Sequence, residues 1–400
     1  MLGTLGPGTI LGYCTNVHAG ATLDETRRNL AIYARAVRDL HAPAATLPIG
    51  LWLSAQSLHE LGSSDQADHL RDWLASLGLQ VFTINGFPFG DFHAPVVKHD
   101  VYHPDWSDPR RARFTIALAR VLTRLMRGLP DDTEGSISTL PLAWRSRPDA
   151  ADLAAMAANL RSVADQLRVL HHRTGRLIHL DIEPEPGCLL GRSADTAAFF
   201  DQQIPAAYRD YLRICHDICH SAVMFEDQPA ELRRYAASGI RVGKVQISSA
   251  PAISFDSVSP SRVAASSAAL HALAEPRYLH QTMIRRAGST TFYEDLAPAL
   301  AAEPLSGEWR THFHVPIFAD TIGPLQTTRA EIAPAIRVAR ALHDCRHFEV
   351  ETYAWHALPP ELVPSPTAES TASRPTDVLA RGIARELTDL APLAGELSAW

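Results

Sequence analysis

The sequence of 400 residues is poor in several things whose absence narrows what the chain can do. It has five cysteines, an odd number scattered through a long chain, which do not make a disulfide framework. No run of about 18 apolar residues occurs, so no membrane span is expected. The opening "MLGTLGPGTILGYCTN" lacks the basic start and long apolar stretch of a signal peptide, and a cytoplasmic protein is expected. There is no excess of basic residues: the formal net charge is -7, against a nucleic-acid partner, which would ask for a basic patch. A glycine-rich phosphate loop is missing too, since "TNVHAGATLD" after the first strand-like run holds no G-x-G-x-x-G. What remains, 46% hydrophobic and 20% charged, is the composition of a globular chain with ample apolar surface to bury.

Short apolar or β-branched runs recur along this chain, separated by Ala/Leu/Arg-rich amphipathic stretches. The runs are "ILGYCTNVH" (10–18), "IGLWLS" (49–54), "LQVFTING" (79–86), "GSISTLPLAW" (135–144), "RLIHLDIEP" (176–184), "YLRICHDICH" (211–220), "IRVGKVQISS" (240–249) and "FEVETYAW" (348–355). Between them lie helical patterns such as 23–41, with Thr22 as N-cap and Glu25 three residues on, and 150–175. Eight strands alternating with helices specify a parallel sheet closed into a (β/α)₈ TIM barrel. The competing open, doubly wound sheet would normally bring the missing phosphate loop. The barrel is expected over 1–360, followed by a Pro/Ser/Thr-rich linker at 361–376 and a C-terminal helix at 377–400 that packs back on the barrel.

A barrel enzyme gathers its chemistry at the C-terminal ends of its strands. Polar residues cluster at those ends here: Asn16 and His18; Asn85 in "NGFPFGDFH"; Asp181, Glu183 and Glu185; Asp217 and His220; Lys244, Gln246 and Ser248; Glu349 and Glu351. Charges are costly inside a barrel unless paired or metal-bound. The stretch "ICHDICH" (214–220) is not a haem site, because three residues separate Cys215 from Cys219, and no second ligand pair makes it a zinc knuckle. Its cysteines read as buried, inert thiols. If the strand ends near Asp217, the chain can turn and bring His220 to the mouth, making Asp217 and His220 the useful pair.

The motifs "LDIEPEPGC", "DICHSAVMFED", "KVQISSA", "HFHVPIF" and "EVETYAWHALP", with "NGFPFGDFH" and "VYHPDW" upstream, resemble the xylose-isomerase-like barrels from about residue 10 to about residue 360. That superfamily holds sugar and sugar-phosphate isomerases and epimerases and the endonuclease IV family. Within it, the motifs look like the EboE branch of metabolite traffic proteins. The resemblance implies a divalent metal ion (Mn, Mg or Zn) in a carboxylate-rich ring. Glu183, Asp217 with His220, and Glu351 match its ligands. Gln246 stands where a histidine is usual, a weaker donor to the metal. His312 and His314 match a loop pair that helps bind an extra zinc in the nuclease relatives, whereas Asn85 replaces a histidine of their remaining site. Glu183 and Glu351 match the two proton-transferring glutamates of the epimerases, with His220 on a substrate oxygen. Asn16, His18, Asn85, Lys98 and His280 are candidate substrate contacts, and Glu185 reads as a helix cap.

The expected function is a metal-dependent isomerase or epimerase acting on a small polyhydroxylated metabolite, a sugar or cyclitol or its phosphate, in an ebo-type secondary-metabolite pathway. Two rivals follow from the same resemblance: a metabolite-traffic or binding protein without isomerase activity, and an endonuclease IV-like phosphodiesterase. The acidic charge and incomplete zinc set count against the last. No feature specifies an oligomeric state.

Overall fold

A computed structural model describes residues 8–18, 20–144, 149–353, 355 and 375–395, the side chains of 375–377 and 391–395 excepted. Seven strands run parallel in chain order: β1 (Ile10–Cys14), β2 (Leu47–Trp52), β3 (Leu79–Asn85), β4 (Gly135–Thr139), β5 (Ile178–Ile182), β6 (Leu212–Asp217) and β7 (Val242–Ile247). An antiparallel insertion follows, of β8 (Pro251–Ser254), β9 (Thr282–Arg286), β10 (Ser289–Tyr293), β11 (Glu308–Thr311), β12 (Thr321–Ile322) and β13 (Leu325–Thr327). The last strand, β14 (His347–Val350), pairs with β7 on one side and β1 on the other and closes an eight-stranded barrel. All eight expected strands are present, most of them shorter than the apolar runs that announced them.

Alternation explains the barrel wall. Ile178, Leu180 and Ile182 of β5, Leu212 and Ile214 of β6, and Phe348 and Val350 of β14 belong to the main apolar core with the surrounding helices. The intervening residues fill the interior, and there they are polar. Lys244 Nζ lies 2.5 Å from Glu349 Oε2, and His179 Nδ1 lies 2.6 Å from Asp181 Oδ1, all fully buried. Space for these charges comes from glycine. A Cβ on Gly50 would sit 1.3 Å from Glu349 Oε1, and one on Gly243 would sit 2.4 Å from Asp181 Oδ1.

The helix at Leu23–Asn29 starts with the expected capping box of Thr22 and Glu25, and continues through a π-helical turn to His41. The insertion between β7 and β14 was not foreseen. It forms a six-stranded sheet in the order β10-β9-β11-β8-β13-β12, with its own core around Ile253, Phe255, Leu270, Ile284, Trp309 and Phe313. It is an elaborated βα loop, and it sits at the barrel end where chemistry is expected. Of the expected linker, 361–374 lie outside the described residues; the final helix, Pro375–Gly395, starts before 377. Ala380, Ile383, Leu387 and Leu390 of that helix join the main core. No helix among the described residues is long and apolar enough to cross a membrane.

Candidate metal centre

β6 ends where the sequence suggested. Asp217 is both its last residue and the N-cap of the short helix Ile218–Val223, its Oδ1 accepting the His220 backbone N–H at 2.9 Å and the Ser248 hydroxyl at 2.8 Å. The turn places His220 at the mouth, with Glu183 following β5 and Glu351 following β14. Oxygens of Glu183, Asp217 and Glu351 lie within 4.8 Å of one another, and all three residues are buried. Asp217 Oδ2 and Glu183 Oε2 have no hydrogen-bond partner. Glu351 Oε1 accepts from Asn16 Nδ2 at 2.5 Å and from Asn85 Nδ2 at 3.4 Å. Burial pushes the Glu183 carboxyl well up, with Glu351 and Asp217 adding to it. Burial together with Asp217 and Glu349 pushes Glu351 up to about 8. Asp217 is held below the usual carboxylate range despite its burial, by the neighbouring His220 and His314 and its hydrogen bonds.

Beside this trio stand three imidazoles. His220 Nε2 lies 3.2 Å from His312 Nε2, which lies 3.1 Å from His314 Nε2. Each ring has its other nitrogen against an acceptor. His220 Nδ1 faces Pro184 O at 3.0 Å, His312 Nδ1 faces Gln281 Oε1 at 2.7 Å, and His314 Nδ1 faces Glu351 O at 2.8 Å. These contacts place a proton on each Nδ1, because carbonyl oxygens only accept. Gln281 presents its oxygen because its Nε2 donates to Glu185 Oε1 and to Tyr102 Oη, both at 2.9 Å. With neutral rings, three Nε2 lone pairs then converge with no hydrogen between them. Burial drives His314 down to about 4 and His312 well below its ordinary value, so both stay neutral. Zinc binds imidazole nitrogen at ~2.0–2.1 Å and tetrahedrally, which spaces its ligand nitrogens by roughly 3.3 Å. The residues therefore fit two kinds of ion: a hard dication on the carboxylates and a zinc-like ion on the imidazoles. The Asp217 carboxylate lies between them, its Oδ2 3.8 Å from His314 Nε2.

The other candidates divide. Asn16, Asn85 and Lys98 line the cavity with Glu183, Glu351 and the three imidazoles, under a wall that includes Phe87, Phe92, Tyr278 and Tyr353. Lys98 is not free, since its Nζ is paired with Asp295 Oδ2 at 2.5 Å. Gln246 is fully buried beside Asp217 and Glu349 in register, and neither atom of its amide has a partner. His18 does not reach the cavity: it stacks on Tyr33 at 4.8 Å and meets Tyr13 Oη at 3.0 Å, because the chain turns after β1 and buries the ring against the next helix. His280 is also set back. Its Nδ1 meets His312 O at 3.0 Å and its Nε2 meets Glu275 Oε1 at 3.1 Å, so it braces the imidazole loop instead of facing substrate. Glu185 is not a cap: the helix at Ser193–Gln203 is preceded by Arg192, and Glu185 lines the cavity, held by Tyr102 Oη at 2.7 Å and by Gln281. Tyr353, packed against His314 with ring centres 4.7 Å apart and planes tilted by 32°, was missed, as was Gln281. Both sit beside residues the sequence singled out, Tyr353 two after Glu351 and Gln281 next to His280, but only the fold shows that they reach the site. Cys219 is buried, with its sulfur within 4.8 Å of nitrogens of His312 and His314.

No protein-family model and no curated protein matches this chain. Solved structures do. A xylose isomerase-like TIM barrel protein from Mycobacterium smegmatis, in complex with magnesium, superposes with a TM-score of 0.52 at 12% identity, over 96% of this chain and 97% of its own. The fold is that of the xylose isomerase-like barrels. D-psicose 3-epimerase in the presence of D-fructose superposes with a TM-score of 0.50, also at 12% identity, over 96% of this chain and 99% of its own. In this xylose isomerase-like barrel the cavity lies at the C-terminal ends of the strands, under the insertion that follows β7.

Proposed function

We propose that this protein is a divalent-metal-dependent isomerase or epimerase of a small polyhydroxylated metabolite, with Glu183 and Glu351 transferring the proton. The observation that carries the reading is the convergence of Glu183, Asp217 and Glu351, three buried carboxyls from three strands, beside orphaned acceptor atoms. Carboxylates so close repel unless protonated or bound to a cation. The Lewis acidity that polarises a substrate carbonyl would come from a dication held there. Glu183, Asp217 and Glu351 would hold it, with Gln246 Oε1 completing the shell. Epimerisation needs one carboxylate to take a proton from the carbon beside a carbonyl and one carboxylic acid to return a proton to it. Glu183 and Glu351 share that work, and Asn16 and Asn85 fix the Glu351 carboxyl that moves the proton. His220, its Nδ1 fixed on Pro184 O, turns Nε2 toward the cavity. The similar epimerase supports the reaction class, and the similar magnesium complex supports a hard ion. Lys98 is the one Lys or Arg among the described lining residues, and it is already paired, which favours an unphosphorylated substrate. The resemblance to the EboE branch supports a place in a cytoplasmic secondary-metabolite pathway.

The test is hydrogen exchange. Metal-loaded protein in D₂O, offered a panel of ketopentoses, ketohexoses and inososes, is expected to wash deuterium into the carbon next to the carbonyl, read by NMR. Glu183→Gln and Glu351→Gln should each abolish the exchange. A full panel with no exchange would favour the metabolite-binding reading. A second reading, phosphodiester hydrolysis, draws on the imidazole trio beside the carboxylates, which could hold paired metals. Release of nitrophenol from bis(p-nitrophenyl) phosphate by the zinc-loaded protein would support it.

A further inference from the structure

The C-terminal helix carries a buried carboxylate that the chemistry above leaves unused. Glu386 is fully buried. Its Oε1 accepts the Ile317 backbone N–H at 3.0 Å and the Thr352 hydroxyl at 2.7 Å, while Oε2 has no partner. The two donors belong to different halves of the metal centre. Ile317 lies three residues beyond His314, in the connection between β11 and β12 of the insertion sheet. Thr352 follows Glu351 directly, at the end of the last barrel strand. The same joint is tied from the opposite side, where His314 Nδ1 meets Glu351 O at 2.8 Å. The helix is seated closely at this point. A Cβ on Gly382 would come within 2.2 Å of Trp355, whose Nε1 donates to Thr352 O at 3.0 Å, and the Arg385 guanidinium lies 3.7 Å from the Phe318 ring centre.

We propose that Glu386 is a positioning residue that clamps the His312–His314 segment to the Glu351 strand end, so that docking of the C-terminal helix sets the spacing between the imidazole and carboxylate halves of the metal centre. The geometry favours this over simple helix docking. The apolar residues of the helix already bury its inner face in the main core, and a docking helix gains nothing from an incompletely satisfied buried carboxyl. One oxygen shared between two segments fixes their separation in a way that apolar contacts do not. Residues hydrogen-bonded to a metal's ligands orient them, and their loss weakens affinity by about 10–100-fold; Glu386 acts one step further out, through Thr352 and Ile317, so the low end of that range applies.

The inference rests on the metal reading, and cobalt separates the two. Full-length protein stripped with chelator is titrated with Co(II), and the visible bands of imidazole-bound cobalt are followed for wild type, Glu386→Ala, Glu386→Gln, Thr352→Val and Leu387→Ala. Glu386→Ala is expected to weaken cobalt binding about tenfold and to alter the bands. Thr352→Val, which removes one of the two hydrogen bonds and leaves the helix intact, should shift both in the same direction. Glu386→Gln, whose amide oxygen can accept the same two donors, should remain close to wild type. Leu387→Ala loosens docking without touching the clamp; it should lower the melting temperature and leave the bands unchanged. Wild-type bands and affinity in both Glu386→Ala and Thr352→Val would overturn the clamp alone, as would a loss in Leu387→Ala equal to that in Glu386→Ala. No cobalt binding by wild type would overturn the metal centre and the clamp together.

Discussion

Replacing Asp217 with asparagine separates the electrostatics of the site from its architecture. Asp217 Oδ1 carries both hydrogen bonds, from His220 N–H and the Ser248 hydroxyl, and an asparagine oxygen can keep them. What changes is Oδ2, which has no partner and faces His314 Nε2 at 3.8 Å. An amide NH₂ placed there meets an acceptor. The substitution also removes a negative charge held within 4.8 Å of the Glu183 and Glu351 oxygens. At such a separation and an effective dielectric of about 20, each pair of unit charges repels by about 3.5 kcal/mol. The raised glutamates relieve this by keeping their protons, and the surroundings of Asp217 favour its charge, so the metal-free protein should gain nothing from the substitution and change by no more than ~1 kcal/mol. The metal-loaded state should change far more. A dication at a hundred times its dissociation constant stabilises the fold by about 2.7 kcal/mol, a rise in melting temperature of about 3 °C for a chain of this length. Scanning calorimetry with and without Mn or Zn should show this rise in wild type and little or none in Asp217→Asn. The pH dependence follows from Glu351, raised to about 8 by burial, Asp217 and Glu349. A metal must displace its proton, so binding weakens as pH falls below about 8, by up to tenfold per unit for each proton displaced. The metal-free fold holds that proton after the unfolded chain has released it near 4.5, so its stability declines as pH rises from about 4.5 to about 8. An equal metal-induced rise in Asp217→Asn, or binding that strengthens toward acid pH, would refute the reasoning.

Two further outcomes can be measured on the same protein. Lys244→Met leaves Glu349 buried without its counter-charge and should cost about 3–5 kcal/mol in urea unfolding, most of it recovered in a double variant that adds Glu349→Leu; a loss below ~1 kcal/mol would show that the pair is not the interior's main compensation. Cys219→Ser should leave the zinc stoichiometry unchanged, because three imidazoles and Asp217 supply a complete shell; loss of one zinc per chain would make the thiol a ligand.

The barrel was legible because its strands are short β-branched runs whose inward positions are polar. The period of two in "IHLDIE" and "FEVE" marks Glu183 and Glu351 as pointing inward at the strand ends. Asp217 and His220 were legible for a local reason: a strand that ends on an N-capping aspartate presents the third residue of the next helix to the same mouth. His18 and His280 show where that logic stops. His18 ends a strand-like run and His280 lies just before β9, yet one turns onto Tyr33 and the other onto Glu275, contacts that the local pattern does not announce. Glu185 failed in the other direction, since Tyr102 and Gln281, which hold it in the cavity, come from a loop and an insertion far away in sequence. The insertion itself has short strands with frequent turns, and it escaped notice within the alternating pattern. Nothing local marks Glu386, whose partners lie 69 and 34 residues away.

The central claim, a divalent ion among Glu183, Asp217 and Glu351, is tested most directly by anomalous diffraction at the zinc edge from crystals of the zinc-loaded protein. The expected map has a peak at the barrel mouth bonded to oxygens of all three carboxylates at about 2.0–2.2 Å, and a second peak among His220, His312 and His314 at about 2.0–2.1 Å. A map with zinc only on the protein surface, or with the three carboxylates free of any peak, would contradict it.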